Sequence, residues 1–103
     1  MTGISTHVLD AALGCPAVGV PVRLEGPNGV LVTVTTDGDG RAGVEGPVAP
    51  GTYRLVFGTA AYFTATGQGG FYPEVIIVFT VEEGHYHVPL LLSPFAYSTY
   101  RGS

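Results

Sequence analysis

Turn-forming residues recur along this chain at short intervals, in "LGCP", "EGPNG", "DGDG", "EGPVAPG", "TGQGG", "EEGH" and "SPF". Glycine supplies positive φ, proline a locked φ, and asparagine or aspartate a local side-chain hydrogen bond, so each cluster stops a regular element. The runs between them are short and rich in β-branched and aromatic residues. Many alternate. "ISTHVLD" sets Ile4, Thr6 and Val8 against Ser5, His7 and Leu9, and "VPVRLEG" sets Val20, Val22 and Leu24 against Arg23 and Glu25. In "TYRLVFGT", Tyr53, Leu55 and Phe57 point one way. "PEVIIVFTV" is apolar almost throughout and reads as a strand covered on both faces. With "GVLVTVTT", "HYHVPLLL" and "AYSTYR" the set comes to seven or eight strands, the pattern of an all-β sandwich. One segment differs: "TAAYFTATG" predicts a single short helix with Gly67 at its C-terminal cap. Pro89 falls inside a strand-like run, where it cannot donate a ladder hydrogen bond, so that strand is expected at an edge or locally irregular near His87.

A chain of 103 residues makes one domain, spanning 1–103. Charged residues are only 12% of it, about half the usual share, against 46% hydrophobic. So little polar cover implies that some surface is buried by association. The net charge is −4, lysine is absent, and Arg23, Arg41, Arg54 and Arg101 are the only fixed cations. That excludes nucleic acid as a partner, since phosphate backbones need a basic face. No run approaches the ~18 apolar residues of a membrane span. "MTGISTHVLD" lacks both the basic stretch and the apolar core of a secretion signal, so a cytoplasmic location is expected. Cys15 is the one cysteine; it can form no internal disulfide, and no histidine stands near it in sequence to activate it.

The histidines are His7, His85 and His87. On a regular strand His85 and His87 share a face, and His7 could complete a three-histidine zinc site, although no carboxylate is placed to support the ligands. "TTDGDGRAG" begins like a calcium loop but puts Arg41 where a ligand belongs and Val48 where the bidentate glutamate belongs. It reads better as a tight turn that delivers Arg41. An arginine fork there, or at Arg101, suits a planar anion or a carbonyl-rich heterocycle. There is no GxSxG, CxxC or phosphate loop, and Ser5, Ser93, Ser98 and Ser103 have no activating motif.

Taken together, "THVLD", "DGDGR" and "HYHVPLLLSP" with the closing "YSTYRGS" resemble the 5-hydroxyisourate hydrolase family of transthyretin-related proteins, along essentially the whole chain. "GCPAVGVPVRLE", "YRLVFGTAAYF" and "FYPEVIIVFTV" fit it too. The resemblance implies a transthyretin-like sandwich of two four-stranded antiparallel sheets with one short helix. It implies a homotetramer, a dimer of dimers, with active sites where the dimers meet. Catalytic roles fall on His7, Arg41, His87 and Ser103, with His85, Tyr100, Arg101 and Gly102 binding substrate or supporting. The implied reaction is metal-independent, cofactor-free hydrolysis of the ring amide of 5-hydroxyisourate to 2-oxo-4-hydroxy-4-carboxy-5-ureidoimidazoline, in urate degradation. In it His87 and His7 activate water and relay protons, and Arg41 holds the substrate and polarises its oxygens. Ser103, through its hydroxyl or a terminal carboxylate, orients the substrate or a histidine; which histidine is the base stays open. The alternatives are a transthyretin-like small-molecule carrier and a three-histidine zinc hydrolase. The carrier relatives lack the two histidines, the arginine and the Tyr-Arg-Gly-Ser ending.

Overall fold

The computed structural model of the protein describes residues 3–103, so the first two positions of the expected 1–103 domain lie outside it. In chain order the elements are β1 (Gly3–Asp10), β2 (Cys15–Pro16), β3 (Pro21–Gly26), β4 (Gly29–Thr35), β5 (Arg41–Glu45), β6 (Gly51–Phe57), α1 (Thr59–Ala65), β7 (Val75–Val81), β8 (His85–Ser93) and β9 (Ala96–Thr99). One sheet runs β4-β3-β6-β7, antiparallel throughout. In the other, β1 is central: β8 and then β9 lie on one side, while β5 and β2 share the opposite edge. β5 pairs with Gly3–His7 and β2 with Leu9–Asp10, so five strands occupy four widths. The layout is thus the expected sandwich with one short helix.

One pairing departs from the expected antiparallel order: β1 and β8 run parallel. A tight turn forces antiparallel neighbours, but the connection from β1 to β8 crosses through the opposite sheet, and a long crossover permits a parallel pair.

The alternation read in β1, β3 and β6 sets the core. Ile4 and Val8, Val22 and Leu24, and Tyr53, Leu55 and Phe57 are all buried, with Leu90 and Leu92 of β8 beside them. β7 corrects the reading of a strand covered on both faces. Val75 and Val81 are buried, but Ile76 and Val78 are 37% and 56% exposed. β7 is an edge strand, and only its inner face meets the second sheet within one chain. Helix α1 buries Tyr62 and Phe63. It ends at Thr66, and Gly67 follows at φ 68°, a left-handed conformation that suits glycine. Among the described residues no helix is long and apolar enough to cross a membrane.

Candidate active site

The outer face of the β1 sheet collects most of the sequence candidates. Even-numbered residues of β1 point into the core, so Ser5 and His7 point out. His7 stands opposite Arg41 across the antiparallel β5 pair, and Ser5 stands opposite His87 across the parallel β8 pair. His85 shares the outward face with His87, because Tyr86 and Val88 are buried. Gly43 lies opposite Ser5 and brings no side chain. An open cleft of ≈ 490 Å³ results, lined by Ser5, Asp37, Arg41, Glu45 and His85 among others.

The turn before β5 positions both Arg41 and His7. The Asp37 carboxylate accepts the backbone N–H of Asp39 at 2.9 Å and of Arg41 at 3.0 Å, and these bonds, that to Arg41 first, hold its carboxyl below the ordinary 3.8. Gly40 sits at φ 76°, and a Cβ there would approach the Val8 carbonyl to 2.5 Å. The closed turn aims the Asp39 carbonyl at His7 Nε2, 2.8 Å away. A carbonyl only accepts, so Nε2 carries the proton and Nδ1 is the nitrogen of neutral His7 able to take one.

His87 is held differently. Ser5 Oγ lies 2.8 Å from His87 Nδ1 and 2.9 Å from His85 Nε2. Burial lowers the His87 pKa below the ordinary 6.5, and the charges of Arg41, His7 and His85 lower it further. The ring is therefore neutral at pH 7 and free to act as a base. Sequence reasoning passed over Ser5, which stands in no motif. The only signal for it is the register between the first and eighth strands.

Pro89 explains how the tail reaches His87. β8 is an interior strand, not an edge, and the irregularity is local. β9 pairs with β8 from Leu90–Thr99 onward, and Thr99 Oγ1 donates to the Pro89 carbonyl at 2.7 Å. Proline has no N–H to continue that ladder. The chain loops out through Tyr100 and Arg101 and returns at Gly102, whose N–H donates to the His87 carbonyl at 2.8 Å. Gly102 lies so close to the imidazole that a Cβ would meet His87 Cδ2 at 2.5 Å. Ser103 therefore follows directly from the residue against His87. Arg101 is not gathered into this group: its guanidinium lies 4.8 Å over the ring of the buried Tyr86. Tyr100 is 60% exposed beside it.

Among the described residues no three His, Cys, Asp or Glu side chains are arranged to hold a metal ion. His7 Nε2 is turned to a backbone carbonyl, and His85 Nε2 and His87 Nδ1 are both turned to Ser5. What the face does offer is a neutral imidazole, a second imidazole with one free nitrogen, and a guanidinium. These are the parts for moving a proton and stabilising a developing oxyanion.

Comparison with known proteins places the chain among relatives of both enzymatic and carrier type. The model of the HIUase/Transthyretin family matches residues 4–102. The chain is 49% identical to the 5-hydroxyisourate hydrolase of Mus musculus over 111 residues, covering 97% of this chain and 94% of that protein. It is 46% identical to the uric acid degradation bifunctional protein TTL of Arabidopsis thaliana, but spans only 37% of that longer protein's length, with 97% of this chain covered. Among solved structures, Klebsiella pneumoniae 5-hydroxyisourate hydrolase superposes with a TM-score of 0.92 at 37% identity, covering 100% of both chains. Sea bream transthyretin in complex with thyroxine gives 0.87 at 34% identity, covering 96% of this chain and 93% of that one.

Proposed function

The chain belongs to the HIUase/Transthyretin family, and from that membership we propose that it hydrolyses 5-hydroxyisourate to 2-oxo-4-hydroxy-4-carboxy-5-ureidoimidazoline, as part of urate degradation. The observation that carries this reading is the meeting of His7, Arg41 and His87 on one sheet face, with Gly102 against the His87 imidazole and Ser103 next to it in the chain. His87 Nε2, the ring nitrogen not engaged by Ser5, takes a proton from water as its oxygen attacks the ring carbonyl carbon. Arg41 stabilises the oxyanion as it forms. The carbon–nitrogen bond then breaks, the water oxygen stays in the new carboxylate, and the departing nitrogen receives the proton. His7, pinned by Asp39, shares in that proton transfer through Nδ1. Ser103 orients the substrate, and His85 acts through Ser5. These residue roles are part of the proposal.

Fold similarity alone does not choose between enzyme and carrier, since sea bream transthyretin shares the architecture. The site favours the enzyme, because a carrier needs no neutral histidine on the same face as a second histidine and an arginine. The three-histidine zinc reading finds no support in the geometry, since among the described residues no three such side chains are grouped around one point.

The same proposal includes a homotetramer, a dimer of dimers. Phe71, Phe95 and Tyr97 are 70%, 74% and 40% exposed next to the unpaired β9 edge, a patch suited to a second copy. A cytoplasmic location completes it; the exposed, unpaired Cys15 fits a reducing compartment. His87→Asn tests the assignment. It is expected to lower kcat by about 10²–10⁴-fold, the range of general acid–base catalysis, without changing the oligomer seen by light scattering. Near-full activity in that variant would contradict the role given to His87.

A further inference from the structure

We propose that Ser5 is a positioning residue: it fixes the tautomer of His87 through a hydrogen-bond chain from His87 Nδ1 to Ser5 Oγ to His85 Nε2. The inference rests on the hydrolase reading for its purpose and on the geometry for its substance. Ser5 Oγ is within hydrogen-bond distance of both rings, 2.8 Å from His87 Nδ1 and 2.9 Å from His85 Nε2. A serine hydroxyl has one proton to give. When that proton stays within the bridge, it goes to one imidazole while the oxygen accepts from the other, and the two tautomers are linked.

Two arrangements keep the serine proton within the bridge. In the first, His87 Nδ1–H donates to Ser5, Ser5 donates to His85 Nε2, and His87 Nε2 keeps its lone pair. In the second, every donor is reversed, and a neutral His87 carries its proton on Nε2. Only the first leaves a nitrogen able to take a proton from water. His85 is exposed and meets solvent with its other nitrogen, so the bridge determines little about it. His87 is partly buried, with Arg41 across β1, His7 on the same face and Gly102 against its ring, so the bridge determines which nitrogen it presents. Ser5 lies on the outer face and is only partly buried. The register of β1 on β8 is set by the backbone ladder and by Ile4, Thr6 and Val8, not by this hydroxyl.

The test is a comparison of wild type, Ser5→Ala and Ser5→Thr at neutral pH, by long-range nitrogen–proton NMR of the imidazoles and by steady-state kinetics on 5-hydroxyisourate. In the wild type His87 is expected as the Nδ1–H tautomer. In Ser5→Ala it shifts toward Nε2–H, and kcat falls by about tenfold, the scale of one neutral hydrogen bond, with KM nearly unchanged. Ser5→Thr, which keeps the hydroxyl, restores both. An Nε2–H tautomer of His87 in the wild type overturns the proposal, and so does an unchanged tautomer in Ser5→Ala or a lost rate that threonine fails to restore. An inactive wild type would instead overturn the hydrolase reading, while the tautomer comparison still decides the role of Ser5.

Discussion

A single methyl group at Gly102 would reach the site itself. The Gly102 backbone lies against the edge of the His87 ring, and a Cβ would have to displace the imidazole or the tail. The tail is held there by one backbone hydrogen bond to His87 and by the stacking of Arg101 on Tyr86, so the tail is the part that yields. Gly102→Ala is therefore expected to lower kcat/KM by about a hundredfold through misplacement of the site, while stability changes by less than about 0.5 kcal/mol, as for a surface substitution. Steady-state kinetics with a thermal melt checks this; a variant as active as the wild type would show that the tail does not set the site. At this scale the histidine pair was legible in the sequence, because residues two apart on a strand share a face. The position of Arg101 was not, since it depends on a loop at the Pro89 break and on the buried ring of Tyr86, which faces the core from β8. Nor was the place of Ser5, whose partners stand near the other end of the chain.

Among the elements, β1 is tied to helix α1 by a buried carboxylate. Asp10, 1% exposed, accepts from Tyr62 Oη at 2.6 Å, Gln68 Nε2 at 3.0 Å, and the backbone N–H groups of Leu13 at 2.8 Å and Ala12 at 3.0 Å. Burial alone would raise its pKa, but the hydrogen bonds, led by Tyr62, outweigh burial and hold the carboxyl below the ordinary 3.8. The sign follows. The unfolded carboxyl binds a proton at higher pH than the folded one, so the stability Asp10 contributes is present above its ordinary pKa. It is lost as pH falls through the lowered folded value. Asp10→Asn is expected to cost about 1–3 kcal/mol at neutral pH and to flatten the acid limb of stability. Urea unfolding across the acid range reads both, and a variant that tracks the wild type throughout would contradict the account. Strand periodicity made β1, β3 and β6 legible in advance. It misled at β7, because an apolar run says that both faces want cover but not whether the same chain supplies it. It was indecisive at Pro89, where a missing N–H announces a broken ladder but not which strand lies beside the break.

At the scale of the whole molecule, the sparse charge and the apolar patch at Phe71, Phe95 and Tyr97 point to self-association. Phe71 stacks edge-on against Tyr72 at 5.0 Å but is itself 70% exposed, so Phe71→Asp leaves the fold intact while placing a charge at the expected contact. Light scattering is expected to give a tetramer for the wild type and a smaller species for the variant; a monomeric wild type would remove the oligomer from the proposal. Catalysis is the larger claim, and one assay addresses it. Urate oxidase generates fresh 5-hydroxyisourate from urate, and the purified protein is added with a chelator present while the ultraviolet band of the substrate is followed. The account predicts decay much faster than the spontaneous reaction. Decay no faster than the blank, or acceleration that appears only when zinc is supplied, would contradict it.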